Sequence, residues 1–310
     1  MKAAIALAGL ALAAPLAAQA GDAPFFVQEK GKGYASLQGA VDAIGGGSGT
    51  ILIAPGTYRQ CAVQEAGQVA YVAREPGSVV FDGGICEGKA ALVLGGRAAR
   101  VEGLVFQNMR VPDRNGAGIR IEQGDLIVSE SLFRDSENGI LSAEDPSGTV
   151  RIDRSTFSGL GGCEEDHGCS HGLYIGDYGE LIVTRSRFER GTGGHYVKSR
   201  APRIEVTGSS FDDTQGRATN YMIDLSNGAT GAISGNVFVQ GRDKENYSAF
   251  IMVAAEGAEH DSAGLAVTGN SAALASGVER STAFVADESG GTLRIEDNRL
   301  GAGIARFEKR

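Results

Sequence analysis

Leu181-Ile182-Val183-Thr184-Arg185-Ser186-Arg187-Phe188 is a short apolar run, a polar break, and a serine two residues ahead of a phenylalanine. The same word recurs along the chain. Leu126-Ile127-Val128 leads to Ser131-Leu132-Phe133, and Val150-Arg151-Ile152 leads to Ser155-Thr156-Phe157. An earlier copy is Val101-Glu102-Gly103-Leu104-Val105-Phe106, and later ones end at Ser209-Ser210-Phe211, Asn236-Val237-Phe238, Asn270-Ser271-Ala272 and Asn298-Arg299-Leu300. The terminal positions run from 106 to 300, about 28 residues per repeat, which is a solenoid period.

A second apolar strand sits between the copies. It reads Gly118-Ile119-Arg120-Ile121, Gly139-Ile140-Leu141-Ser142, Gly172-Leu173-Tyr174-Ile175 and His195-Tyr196-Val197-Lys198, then Tyr221-Met222-Ile223-Asp224, Phe250-Ile251-Met252-Val253 and Ala283-Phe284-Val285-Ala286. Clusters of Gly, Asn, Asp and Ser punctuate these strands. Strands this short cannot bury an apolar face alone, so stacked coils forming parallel sheets are the economical solution. The recurrent Phe is expected to stack at an inner corner, with the neighbouring Ser or Asn bonding turn backbone. A sandwich would require hairpin signals, and Asn-Gly and Asp-Gly are sparse; a propeller blade would require four strands per repeat.

Outward from the repeats, Leu37, Val41 and Ile44 mark a short amphipathic helix, with Ser36 as N-cap and Gly45 as stop. The strand Thr50-Ile51-Leu52-Ile53-Ala54-Pro55-Gly56-Thr57-Tyr58 follows. This helix, the Pro55-Gly56-x-Tyr58 ending and the later Glu75-Pro76-Gly77-Ser78-Val79-Val80-Phe81-Asp82-Gly83 resemble the secreted pectate-lyase-like β-helix superfamily. The resemblance implies an all-β chain, a right-handed parallel β-helix solenoid with a short N-terminal capping helix. It leaves the activity open, because the superfamily holds lyases, hydrolases, epimerases and noncatalytic proteins.

Residues 1–20 read as a secretory signal. Lys2 is the basic start, Ala3 to Leu16 the apolar stretch, and Ala18-Gln19-Ala20 the cleavage site. Residues 21–310 are then expected to form a single β-helix domain, exported to the periplasm or medium. No later stretch is apolar enough for a membrane span. Loss of Lys2 takes the net charge from −9 to −10, which argues against nucleic acid as a partner. A monomer is expected. In an oxidising compartment the four cysteines favour two disulfides, Cys61 with Cys86 and Cys163 with Cys169. The rival is a metal site from Cys163, His167, Cys169 and His171.

Aligning Ile175, Val197 and Ile223 as inward residues sends Tyr174, Tyr196 and Met222 outward by period two. Gly176, Lys198 and Asp224 form a second outward column, and Arg200 and Ser226 a third. His171 and His195 fall at the strand starts. This is the densest meeting of aromatic and titratable groups in the chain. A uronate lyase needs a cation on the sugar carboxylate, a base for the C5 proton and an acid for the leaving oxygen. Superfamily members use Arg or Lys as base, often with Ca²⁺, while others use His and Tyr. Arg200 and Lys198 suit carboxylate neutralisation, Lys198 or His195 the base, and Tyr174 or Tyr196 the acid. His171, Tyr196 and Asp224 are expected to bind substrate.

Plainer roles stand beside these. Lys198 with Asp224 is also an ordinary cross-strand ion pair, the two histidines also backbone partners, Tyr174 with Tyr196 also a structural ladder, and Asn227-Gly228 a turn. The Gly-His-Gly and Arg-Ile-Lys cluster of pectin-hydrolysing β-helices is absent, and so is the Asp-Pro-His-Asp motif of alginate epimerases. No acidic run matches a calcium cluster, so no cofactor is required, although the resemblance allows Ca²⁺. A hydrolase needs two carboxyl groups about 5–9.5 Å apart, and on this register Asp177 is the best partner for Asp224. Two functions follow: a lyase cleaving an acidic, uronate-containing polysaccharide by β-elimination, or a noncatalytic glycan-binding or cell-envelope structural protein.

Overall fold

Each copy of the repeat word folds as two strands. A single residue in the left-handed region divides them: Glu130 (φ 50°), Arg154 (φ 45°) and Arg185 (φ 49°) sit where other coils use Gly103, Gly208, Gly235 and Gly269. The strand Asp125–Ser129 thus ends before Leu132–Arg134 begins, and Tyr178–Thr184 before Arg187–Glu189. With the intervening strand, each full coil carries three. The computed structural model describes residues 23–164 and 168–310. The expected signal segment and His167 lie outside the described residues.

Among the described residues, coils stack into three sheets of 12, 10 and 10 strands. Pairing within them is parallel, except where Phe25–Val27 joins Lys32–Tyr34 and Ser48–Ile53 antiparallel. This is a parallel β-helix, as the repeats imply. The helix Leu37–Ile44 lies at its start, with Ser36 Oγ accepting the Gly39 amide at 3.1 Å and Gly45 (φ 58°) closing it. Leu37, Ala40 and Val41 are buried.

The second sheet supplies the core ladder. Phe81, Phe106, Phe133, Phe157, Phe188, Phe211 and Phe238 stack one per coil, with ring centroids 4.8–5.5 Å apart, the spacing of neighbouring strands. Tyr58 continues the stack towards Phe25, and its hydroxyl donates to the Ala54 carbonyl at 2.7 Å.

Beside the rings runs a polar ladder. The Ser131 amide donates to Ser155 Oγ (3.3 Å), Ser155 to Ser186 Oγ (3.2 Å), Ser186 to Ser209 Oγ (3.0 Å), and Ser209 to Asn236 Oδ1 (2.8 Å). Asn270 and Asn298 extend it. These amides are buried, and an orphaned buried donor costs about 1–3 kcal/mol. Ser155→Ala is therefore expected to lower stability by about that amount, measured by urea denaturation, and to speed exchange of the Ser131 amide.

Both disulfides form: Cys61–Cys86 with Cα atoms 5.5 Å apart, and Cys163–Cys169 with Cα atoms 4.1 Å apart. The second staples the hairpin of Gly162–Glu164 and Gly168–Ser170. Neither sulfur of that pair is a free thiolate, so the metal site built on Cys163, Cys169 and His171 gives way to the disulfide.

Candidate functional site

The third sheet carries the expected polar patch, in a register that differs from strict alternation. Ala117 pairs with Asn138 and Ile119 with Ile140, and Gly118 is stepped over between them. Ala249 and Ile251 repeat the step around Phe250. At that position the chain turns the corner with two consecutive residues inside. A Cβ on Gly118 would lie 2.7 Å from Phe133 Cδ1, and on Gly139 2.7 Å from Phe157 Cδ1, so the Phe stack leaves room only for glycine there. Later coils fill the position with Tyr196, Met222, Phe250 and Phe284, all in the core.

Tyr196 therefore faces inward, which corrects its expected place on the outer wall. It is 3% exposed. Its hydroxyl donates to Asp213 Oδ1 at 2.7 Å and accepts the Gly191 amide at 3.1 Å. Neither a substrate contact nor the acid role is open to it. Met222 moves inside for the same reason.

The pairing also shifts by two residues from the expected alignment. Leu173, not Ile175, lies beside Val197, so Tyr174, Lys198 and Asp224 form one outward column on three successive coils. Gly176 drops out of that column. His171 and His195 precede it, their rings stacked at 4.9 Å, and Tyr221 follows at 5.7 Å from His195. The His171 ring meets Tyr174 edge-on at 5.2 Å.

Lys198 Nζ donates to Asp224 Oδ2 at 3.1 Å and to Glu256 Oε1. Arg200 spreads its guanidinium over three acceptors: Tyr174 Oη at 3.0 Å, Asn227 Oδ1 at 2.6 Å, and Glu256 Oε2. One carboxylate thus bridges both cations. Asp224 Oδ2 also accepts from Ser226 Oγ at 2.8 Å, and His195 Nε2 lies 3.7 Å away. Asp224 Oδ1 is buried with no hydrogen-bond partner among the described residues. His171 Nδ1 accepts the His195 amide at 3.0 Å, which leaves its proton on Nε2.

Burial disfavours charge on these groups, and ion pairs decide which keep it. Burial, then the Lys198 and Lys244 ammonium groups, push the His195 imidazole down to about 3. Burial first, then His195, holds His171 well below the ordinary histidine value. For Lys198 burial acts downward, but Asp224 and Glu256 outweigh it and hold the group above the lysine range. Lys198 stays an ammonium without a lone pair, so its expected role as base is corrected; its charge remains available. Burial raises Asp224 despite Lys198 and Ser226. For Glu256 burial is overcome by Lys198 and Arg200, and the carboxyl is lowered.

A pH dependence follows from the two histidines. Both are neutral when folded and bind a proton when unfolded near the ordinary value of 6.5. The unfolded state then binds more protons below about 6.5, so stability falls with decreasing pH down to the lowered folded values. Asp224, raised in the fold, works in the opposite direction at the acid end. Urea midpoints measured from pH 7 to pH 4 are expected to fall, and His195→Gln to flatten the slope.

Glu256, Asn227 and His260 complete the site and were not legible beforehand. Asp177, the expected carboxylate partner of Asp224, instead faces His260 at 3.7 Å; Glu256 takes its place. His260 Nε2 is 2.9 Å from the Arg200 carbonyl. On the same wall a groove of about 660 Å³ opens beside the cluster, lined by Lys89, Asn115, Arg120, Leu141, Tyr174 and Arg200 among others. Lys198, Asp224 and His195 are not among its lining residues; Tyr174 and Arg200 are the members of the cluster that reach it. No group of three or more His, Cys, Asp or Glu suited to a metal occurs among the described residues.

The family model described as "Right handed beta helix region" matches residues 87–300. The chain belongs to this family. Among solved structures, the β-helix is similar to ORF18 of Geobacillus virus E2, with TM-score 0.55 and 13% identity over 88% of this chain and 57% of that one. It thus spans little more than half of the viral protein. It is also similar to rice weevil pectin methyl esterase (TM-score 0.49, 10% identity, 73% and 79% covered). A third is the A-module of the mannuronan C-5 epimerase AlgE6 of Azotobacter vinelandii (TM-score 0.38, 12% identity, 88% and 94% covered). No curated sequence matches. At these identities the likeness extends to the fold alone. No helix among the described residues is long and apolar enough to cross a membrane.

Proposed function

We propose that this β-helix is an exported enzyme that cleaves an acidic, uronate-containing polysaccharide by β-elimination. The carrying observation is the convergence of Lys198 and Arg200 on a single carboxylate, that of Glu256. A cationic fork of this kind suits a sugar carboxylate, one oxygen accepting a guanidinium hydrogen bond and the other meeting the ammonium, as the two oxygens of Glu256 do. Neutralising that carboxylate acidifies the C5 proton. His195 is uncharged at neutral pH and keeps a lone pair for it; its basicity, lowered by burial and by Lys198, is raised again when the anionic sugar enters beside it, and the Tyr174 hydroxyl beside Arg200 would protonate the leaving oxygen. The C5–H bond breaks, the C4–C5 double bond forms, and the C4–O electron pair leaves with the departing chain. His171 orders His195 through its backbone amide, and Asp224 holds Lys198. The groove over Leu141 and Arg120 gives the polymer a path across the coils. No calcium is assigned to the reaction.

Hydrolysis is the second reading, favoured by one observation. Asp224 and Glu256 share the Lys198 ammonium while one carboxyl is raised and the other lowered, the division expected of an acid and a base. Incubation with polygalacturonate, alginate and glucuronate polymers separates the readings. A lyase yields ultraviolet-absorbing unsaturated ends. Reducing ends without that absorbance support hydrolysis, and retention on the polymer with neither product supports the noncatalytic binder.

A further inference from the structure

Glu256 differs from every other partner of the two cations. Asp224 and Tyr174 stand on strands of the wall, and Asn227 lies in a turn whose backbone is tied to His260. Glu256 projects from the loop after Ala249–Val253, between Ala254 (φ 62°) and Gly257 (φ 136°). Its side chain is 41% exposed, against 8% for Lys198 and 27% for Arg200. Its two oxygens divide between the cations, Oε1 to Lys198 and Oε2 to Arg200.

Resting on the uronate reading above, we propose that Glu256 is a specificity-determining residue, a built-in occupant of the seat that a uronate carboxylate takes. The cations are held without it: Lys198 by Asp224, and Arg200 by Tyr174 and Asn227. Glu256 can swing into water by side-chain rotation alone. Ion pairs with an exposed partner are weak, so a sugar carboxylate replaces this one at little net loss, and the remaining sugar contacts favour the exchange. A neutral sugar brings no anion to the fork. It leaves Glu256 in place and the seat closed. Selection for acidic over neutral glycan thus comes from an internal competitor as well as from attraction.

Glu256→Gln keeps the length of the side chain and removes its charge. Isothermal titration of wild type, Glu256→Gln and Arg200→Gln with trigalacturonate, trimannuronate, triguluronate and neutral galactotriose tests the proposal. Glu256→Gln is expected to bind at least one of the three uronates tenfold or more tighter than wild type. Galactotriose binding is expected not to change, and Arg200→Gln to lose the uronate. Absence of tightening for all three uronates, including absence of any binding, overturns the proposal, as does equal tightening for galactotriose. The lyase reading fails separately. Tightened uronate binding without unsaturated product keeps the seat and removes β-elimination. Turnover that depends on Arg200 but collapses in Glu256→Gln keeps the site and overturns the proposal, because Glu256 is then part of the chemistry and not an occupant that gives way.

Discussion

Arg200→Ala is expected to lower kcat/KM on a uronate polymer by about 10²–10³-fold, the usual consequence of removing one donor that stabilises developing charge. The measurement is ultraviolet absorbance of the unsaturated product. Arg200 is partly exposed, and Tyr174 and Glu256 can turn to water when it is gone, which leaves only the buried Asn227 side-chain oxygen without its donor, so the fold should persist with a modest stability loss. Lys198→Ala should lower turnover similarly, but with a stability loss, because Asp224 is left almost wholly buried beside no cation. His195→Ala should lower turnover by about 10²-fold if the imidazole takes the C5 proton. Undiminished activity in all three variants would place the chemistry elsewhere on the rod.

Lys244→Met is expected to have the largest effect on stability, about 3–5 kcal/mol, read as a shift of the urea midpoint. The side chains of Lys244 and Asp213 are both fully shielded, with Nζ 3.3 Å from Oδ2. Lys244 also donates to the Asn220 carbonyl. Asp213 accepts from Tyr196 Oη, from Thr219 Oγ1 at 2.8 Å and from the Gly241 amide at 3.0 Å. Removing the ammonium leaves a carboxylate in the interior with neutral donors only. Adding Asp213→Asn should recover part of the loss, because the uncompensated charge then disappears; a double variant no more stable than Lys244→Met would refute this account. Tyr196, which lies between His195 and the strand Val197–Ser199, donates into this network, so the network's removal should also loosen the candidate site.

The architecture was legible in the sequence because it is periodic. Phe106, Phe133, Phe157, Phe188, Phe211 and Phe238 mark one corner at solenoid spacing, and Ser155 or Asn236 beside them announces the turn ladder. The helix at Leu37–Ile44 and both disulfides followed from equally local signals. The candidate site was only half legible. Period two correctly placed Tyr174, Lys198, Asp224 and Arg200 on one wall. It failed at Tyr196, where the corner puts two neighbours inside, and the glycines at 118, 139 and 172 were the available hint. Glu256 carried no hint. It lies beyond a strand end, on a turn set by Ala254 and Gly257, and loop side chains obey no period. Asn227 was read as a turn residue, which it is, while its side-chain oxygen also holds Arg200.

The polar ladder of Ser131, Ser155, Ser186, Ser209, Asn236 and Asn270 points one way. Each amide is satisfied by the side chain of the coil that follows, never by the one before. Synthesis and export both deliver a chain from its N-terminus, so each turn that folds waits, one donor short, for its successor to arrive. Completion travels one coil behind arrival, and a flaw in any rung is suffered by its elder neighbour.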